Sequence, residues 1–464
     1  MNSNLEFDYD KEPSRDILCL DCKSFYASCE AVALGYDPLK VKLVVMSYPS
    51  GSPQKRGSGL ILASSPQAKK AYNISNVSRA RDLPYPYPDD LVIVAPRMNL
   101  YMEVNKTINN IYRTFVSDED IAVYSVDETF LDVTNSLSYF DCETAYDLAK
   151  IIQTKVFRET GIYTTVGIGD NPLLAKLALD NESKFNPDMK AEWRYKDVKT
   201  KLWSIPKLTD FWGIGSKTEI RLNKLGIKSI YDLSQYNYYE LKDNMGVMGA
   251  QLFAHSWGID RTFLGEQYIP KSKSIGNSQV LPKDYTKQSE IEIIIREIAD
   301  QVATKLRRDG LYTTSISLWI GYSSNYIDEE GKTGFSKQVK ISNTNNTKLI
   351  AKQLIQLFRQ NYYGQVVRNI GVSVTKLTES GHQQLNLFDN VETLETLEKN
   401  ENIDKVVDKV RSKFGFSKLI YLSSKQEGAR ALERSKLVGG HAGGMIGLEN
   451  KESKKKNWKD ICRL

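Results

Sequence analysis

Tyr124-Ser125-Val126-Asp127-Glu128-Thr129-Phe130-Leu131-Asp132 is the segment with the clearest chemistry in the chain. Two adjacent carboxylates sit between strand-like apolar runs. Neighbouring side chains on an extended strand point to opposite faces, so an Asp-Glu pair breaks the pattern of a buried strand. A tight, acid-rich turn would account for it. So would a hairpin turn that projects carboxylates into a site for hard divalent cations, because Mg²⁺ takes oxygen ligands from one or two carboxylates plus substrate phosphates. Such a site needs a partner acid, and Asp21 supplies one at the end of the first buried strand. Asp21, Asp127 and Glu128 can converge if the two strands are neighbours in one sheet. Three carboxylates can hold two cations roughly 3.5–4 Å apart, which clamp both oxygens of a displacement at phosphorus. Asp132 fits a structural role better.

The elements that must position these acids follow from pattern. Residues 16–20, 42–46, 91–95, 121–125, 129–133 and 164–169 read as strands, and 25–32, 67–72, 101–115 and 144–160 as helices. Residues 47–59, rich in Gly, Ser and Pro, read as a loop. This mixture predicts an α/β or α+β sheet domain. Residues 205–265 change to short helices punctuated by glycines. Residues 271–287 are polar and basic, with Pro270 and Pro282 close by, and read as a linker. Beyond it, Ile291, Ile294, Ile295, Ile298, Val302 and Leu306 form one helical stripe, and Ile316, Leu318, Ile320 and Tyr322 alternate as on a strand. Residues 337–341 and 369–377 are further strands of this helix-on-sheet module. Residues 381–402 read as loose. A last helix places Ile403, Val406, Val407, Val410 and Phe414 on one side.

Composition bounds the class. The chain has 464 residues, 41% apolar and 26% charged, which fits a folded globular protein of roughly three domains by length. The N-terminal 16 residues contain no apolar run of the signal type, and no run approaches the roughly 20 residues of a membrane helix. The cysteines, Cys19, Cys22, Cys29, Cys142 and Cys462, are too sparse for a disulfide framework, which predicts a cytoplasmic protein without a membrane partner. Cys19-x-x-Cys22 lacks the second half of a zinc site, and Cys19 reads as core. His255, His382 and His441 are scattered. The net charge of +6 permits a nucleic-acid partner, and residues 451–464 carry six basic against two acidic side chains.

Asp21-Cys22-Lys23-Ser24-Phe25-Tyr26-Ala27-Ser28-Cys29-Glu30, followed by residues 124–132, resembles the two catalytic motifs of Y-family DNA polymerases. The likeness is strongest to the UmuC-like (ImpB/MucB/SamB) branch, the catalytic-subunit type of DNA polymerase V, and covers residues 16–441. It implies an α+β right hand with a C-terminal extension. Residues 1–15 would be a tail, 16–35 and 91–200 the palm, 36–90 the fingers and 201–268 the thumb. Residues 269–288 would be a linker, 289–380 the α/β little finger and 381–464 the clamp-binding segment and extension. It implies error-prone, DNA-directed translesion synthesis in DNA repair and the SOS response, with two Mg²⁺ ions, or Mn²⁺ in their place. Asp21, Asp127 and Glu128 match the family's metal-binding acids, and Cys22 stands where a backbone carbonyl is a ligand. Phe25 and Tyr26 match the nucleotide site, with Tyr26 as the steric gate beneath the incoming sugar. Residues 63–70 resemble the segment that grips the triphosphate, with Lys69 where many relatives have Arg and Pro66 where they have Tyr. Lys69 keeps the charge without the bidentate fork. Lys184, in preference to Lys176, falls near the family's triphosphate contacts. Lys23 departs from a common Asp.

Gly213-Ile214-Gly215 resembles a helix-hairpin-helix turn, whose backbone N–H groups can take a DNA phosphate without reading sequence. Placed after a polymerase palm it reads as the thumb, and Lys271 and Lys273 then read as phosphate contacts. Gln384-Leu385-Asn386-Leu387-Phe388 puts apolar side chains in a polar stretch. It resembles the peptide by which bacterial polymerases dock on the β sliding clamp. Primer-template DNA and an incoming dNTP are the implied substrates, and a UmuD-like protein and RecA are the further partners the branch raises. Two rivals remain open at this point. A nucleotide cyclase could use the same acid pair but needs no thumb or clamp peptide. A non-catalytic accessory factor bound to DNA could dispense with the acids.

Overall fold

Ile17–Cys22 is apolar on both of its faces, so it belongs at the centre of a sheet. The computed structural model describes residues 7–47, 59–75, 78–266, 270, 272–379, 391–435 and 437, without the side chains of 391–398. The chain divides into two compact units, whose described parts lie within 7–266 and 270–437. No helix among the described residues is long and apolar enough to cross a membrane.

In the first unit, β1 (Ile17–Cys22) is the middle strand of a five-stranded sheet. Antiparallel β6 (Glu128–Asp132) and β7 (Thr164–Gly169) flank it, with β5 (Ile121–Val123) and β8 (Lys190–Trp193) at the edges. Helix α1 (Phe25–Ala33) leaves β1 through Ser24, whose φ of +50° lets the chain turn sharply. A three-stranded sheet of β2 (Lys42–Ser47), β3 (Leu60–Ser64) and β4 (Leu91–Val94) packs on α1 through Ala27, Ala31, Leu43 and Val45. Helix α2 (Pro66–Tyr72) adds Ala68 to the core on the other side. Helices α3 (Met98–Tyr112) and α4 (Ala145–Thr160) cover the larger sheet. Helix α5 (Pro172–Asn181) lies against β7 backbone to backbone. A Cβ on Gly167 would meet the Ala175 carbonyl oxygen at 2.0 Å, and one on Gly169 the Ala175 nitrogen at 2.5 Å. The two glycines allow this approach, and it brings the far end of α5 beside the ends of β1 and β6.

Four short helices follow: α6 (Ser216–Lys224), α7 (Ile230–Gln235), α8 (Tyr238–Met245) and α9 (Val247–Ser256). Their core, with Leu222, Leu233, Leu252 and Trp257, is continuous with Leu174 and Leu177 of α5. Residues 7–15, expected as a tail, are bonded to both the sheet and these helices.

The second unit is an antiparallel sheet in the order β11 (Gly334–Thr344), β10 (Tyr312–Tyr322), β12 (Val367–Thr378), β9 (Ile275–Tyr285). Helices α10 (Gln288–Arg308) and α11 (Thr347–Arg359) cover one face, and the predicted stripes of α10 and β10 are buried together. Two expectations fail here. The stretch read as a linker is mostly strand β9. It is an edge strand with alternating exposure, so its solvent face carries the polar residues that make it look like a linker. The stretch read as loose is helical from its middle onward, because α12 spans Val391–Phe414. The apolar side of α12 is also not the side it buries. Asp404 is buried and the Arg411 side chain nearly so, while Ile403, Val406 and Phe414 face solvent and Val407 and Val410 are half-buried.

Candidate active site

Opposed residues of an antiparallel pair share a face, and the β1–β6 register sets Asp21 against Glu128. Asp127 occupies the turn just before β6, where Ser125 holds it. The Ser125 hydroxyl donates to Asp127 Oδ1 at 2.7 Å and accepts from the Glu128 amide at 3.0 Å. The Cys22 amide donates to the Asp127 carbonyl at 2.9 Å, which ties the turn to the end of β1. The three acids therefore lie at one end of adjoining strands, the neighbouring placement on which their convergence depends.

They do not stand as a formed cluster. Among the described residues no group of three or more His, Cys, Asp or Glu side chains is gathered to hold a metal ion. Asp21 and Glu128 each turn to a lysine instead. Lys184 Nζ lies 3.0 Å from Asp21 and 2.9 Å from Asp180, and Lys176 Nζ lies 2.6 Å from Glu128 and 3.0 Å from Asp180. Crowded carboxylates in a partly dry site repel one another, and the two ammonium groups offset that repulsion. Burial pushes the Asp21 carboxyl up to about 6 against the pull of Lys184, and the charges of Asp127 and Glu128 add to the rise.

A basic group surrounds Asp21. Opposing effects act on Lys184: burial would lower its pKa, but Asp21 and Asp180 raise it above the usual lysine value. Lys69 is half-buried and pulled down by burial; Asp21 opposes this, and Lys184 and Lys23 add to it. Lys23 is likewise lowered by burial, with Asp21 opposing and Lys184 adding. Lys184 thus contacts Asp21, and Lys23 and Lys69 lie within electrostatic reach of both, a local positive charge suited to a polyanion. Lys176 is nearly buried within its ion pairs, whereas the Lys184 side chain keeps 38% of its exposure, which favours Lys184 as the reaching group. The Cys19 and Cys22 thiols are buried, and burial holds both well above the usual thiol range, as suits core residues.

Phe25 is buried at the start of α1, and the Tyr26 ring beside it stays half-exposed. Tyr26 stacks on Tyr101 with centroids 4.4 Å apart and planes 14° from parallel. The Tyr101 hydroxyl donates to Glu30 Oε1 at 2.7 Å and accepts from the Arg97 amide at 3.0 Å. Arg97 closes the set by pairing with the buried Glu30 carboxylate. Sequence reading missed this support. Its signal was Glu30 inside the first motif and the Arg97–Tyr101 spacing of one helical turn.

Gly213 has φ +95° and Gly215 caps α6 in extended backbone, and a Cβ on either would meet open space. Only Gly213 needs the left-handed conformation; both leave the backbone accessible. Lys273 is exposed. Lys271 and Gln384, Leu385, Leu387 and Phe388 lie outside the described residues.

Residues 20–180 match the impB/mucB/samB family, residues 195–227 its HHH motif and residues 272–387 its C-terminal domain. The chain is 38% identical, over 94% of its own length and 99% of the relative's, to the "Putative UV-damage repair protein UvrX" of Bacillus subtilis (strain 168). It is 32% identical to DNA polymerase IV 2 of the same organism, over 92% of this chain and 98% of that one. The chain belongs to the Y-family of DNA polymerases. The polymerase also shares its fold with the solved Y-family DNA polymerase chimera Dbh-Dpo4(243-245)-Dbh, at TM-score 0.61 and 23% identity, over 79% of this chain and 100% of that one. It is a DNA-directed DNA polymerase of the translesion type, acting in the repair of DNA damage. The polymerase's acid pair and first-strand Asp lie inside the segment that matches the family, and Gly213–Gly215 inside the HHH motif.

Proposed function

We propose that the polymerase extends a primer 3′ end past damaged template bases by nucleotidyl transfer at Asp21, Asp127 and Glu128. The observation that carries this reading is the register that sets Asp21 opposite Glu128, with Asp127 on the adjoining turn and Lys184 paired to Asp21. The donor set is carboxylate oxygen, which suits Mg²⁺ or Mn²⁺. Asp21, Asp127, Glu128 and the Cys22 carbonyl would hold two such ions. When bound, these supply Lewis-acid activation of the primer hydroxyl and offset charge on the leaving pyrophosphate. Lys69 and Lys184 bind the triphosphate, with Lys23 adding charge where many relatives carry an acid. Tyr26, backed by Tyr101, sets a flat aromatic floor that clashes with a 2′-hydroxyl. Gly213 and Gly215 offer backbone N–H groups to a DNA phosphate, and Lys271 and Lys273 neutralise others.

In the right-hand division, residues 16–35 and 91–200 form the palm, 36–90 the fingers and 201–268 the thumb. The little finger begins at Ile275, since β9 belongs to its sheet. Residues 384–388 dock the polymerase on a β sliding clamp. Within the family, the motifs alone support the UmuC-like branch, while the relatives named above carry UvrX and DNA polymerase IV names.

A primer-extension assay tests the core of this reading. Asp127→Asn and Glu128→Gln should each abolish incorporation while primer-template binding persists; extension equal to wild type would break the mechanism. Tyr26→Ala should admit ribonucleotides, and unchanged sugar selection would remove the gate assignment. Deleting residues 384–388 should remove clamp stimulation and spare basal synthesis.

A further inference from the structure

Residues 7–16 precede the first strand and stand apart from every motif above, yet they are bonded along their length. One set of contacts reaches the helical layer. The Phe7 ring lies 5.9 Å from Trp257 and 6.4 Å from Phe253. The Tyr9 hydroxyl donates to the Trp257 carbonyl at 3.0 Å. Arg261 grips the Glu12 carboxylate with Nε at 2.7 Å and Nη2 at 2.5 Å, and the Glu12 side chain is only 5% exposed. Arg15 donates to the Thr262 carbonyl at 2.8 Å, with its guanidinium 4.6 Å from the Phe263 ring centroid.

The other set reaches the loops that leave the catalytic sheet. Tyr9 stacks on Tyr195 at 5.0 Å, and the Tyr195 hydroxyl donates to the Pro13 carbonyl at 2.9 Å. The Ser14 hydroxyl donates to Asp170 at 2.8 Å, just past β7. Arg194, just past β8, donates to the Arg15 carbonyl at 2.9 Å and to Asp16 at 2.5 Å. The segment alternates between the two partners within ten residues. A bidentate guanidinium–carboxylate pair and a stacked aromatic pair resist both sliding and tilting.

We propose that residues 7–16 are a brace that fixes the helical layer, and the stretch 257–263 where the chain leaves it, against the catalytic sheet. The brace thereby sets how long the polymerase holds primer-template DNA. Tyr9, Glu12 and Arg15 are positioning residues that act through the helices. This rests on reading Gly213–Gly215 as a DNA contact.

Charge exchange tests it on the full chain. Glu12→Arg should make a primer-template duplex dissociate about tenfold faster, the size expected when residues in contact are uncoupled. Fewer nucleotides should then be added per encounter. The single-turnover incorporation rate on saturating DNA should stay at the wild-type value. Glu12→Arg with Arg261→Glu should restore slow dissociation. Tyr9→Phe, which removes the hydrogen bond to the Trp257 carbonyl and keeps the ring, should show a smaller change of the same kind and serves if Glu12→Arg does not fold. Unchanged dissociation in the folded variant, or an incorporation rate that falls with it, overturns the brace. Gly213→Asp runs in parallel. If it leaves DNA affinity intact, the DNA-contact reading of that loop fails, whereas loss of affinity in Gly213→Asp alone convicts only the brace.

Discussion

Helices α10 and α12 belong to the same unit and both carry an apolar stripe, but they use it in opposite ways. Ile291, Ile294, Ile295, Ile298, Val302 and Leu306 of α10 are buried on the sheet. On α12, Ile403, Val406 and Phe414 are 47%, 60% and 58% exposed, and the ionic side faces inward. Arg307 of α10 donates from Nε to Asp408 at 2.6 Å and from Nη1 to Asp404 at 3.2 Å. Arg411 donates to Asp300 of α10 at 2.7 Å. Asp404 also accepts from the Thr347 amide at 2.9 Å, at the N-terminus of α11. The receiving surface explains the difference. Against α10 stood a sheet face of apolar side chains. Against α12 stood a guanidinium, a carboxylate and open helix N–H groups, and each costs free energy if buried without a partner. Amphipathicity names two faces of a helix, and the neighbour decides which is covered.

The contrast can be broken at four points of decreasing effect. Arg307→Ala removes the cation from Asp404 and Asp408, leaving them only the neutral donors Asn346, Thr347 and Thr304, and should cost about 3–5 kcal/mol, as for other broken buried pairs. Hydrogen exchange should show the amides of residues 400–414 opening before those of α10. Ile298→Ala leaves a cavity under α10 and should cost about 2–5 kcal/mol, with the sheet and α10 losing protection together in urea titration. Asn346→Ala removes the side chain that accepts from the Leu349 amide and donates to Asp404, and should cost about 1 kcal/mol. Val406→Ser and Phe414→Ser should each change stability by less than about 0.5 kcal/mol. A cost for Val406→Ser as large as for Ile298→Ala would mean that the stripe of α12 is packed after all.

The same division runs through the catalytic unit. The acids announced themselves because Asp127-Glu128 violates strand alternation and Asp21 ends an apolar run, so chemistry showed as a break in pattern. The positions of β1, β6 and β7 were legible for the complementary reason, short runs rich in apolar and β-branched residues. Strands β3 and β8 and helix α5 were not legible. The sequence of α5 is apolar nearly all round, and its place depends on two glycines in β7 that admit it. The lysine partners of Asp21 and Glu128 follow from that placement: Lys176 and Lys184 lie eight residues apart in sequence, share Asp180, and each reaches a different strand directly. The support behind Tyr26 joins the one-turn pair 26 and 30 to the one-turn pair 97 and 101, and no local pattern connects one pair to the other.

By itself the sequence determined which residues could carry chemistry, which runs must be buried, and the family to which two spaced motifs point. These are properties of residue type and period. Tertiary structure decided which strands adjoin, so that Asp21 meets Glu128. It also decided that a polar stretch is an edge strand, that α12 turns its charges inward, and that residues 7–16 are held rather than loose. Each of these depends on what a neighbour distant in sequence offers: an unpaired strand edge, a buried guanidinium, an aromatic face. Burial of a polar group is favourable only where its partner already stands, and local sequence does not encode the partner.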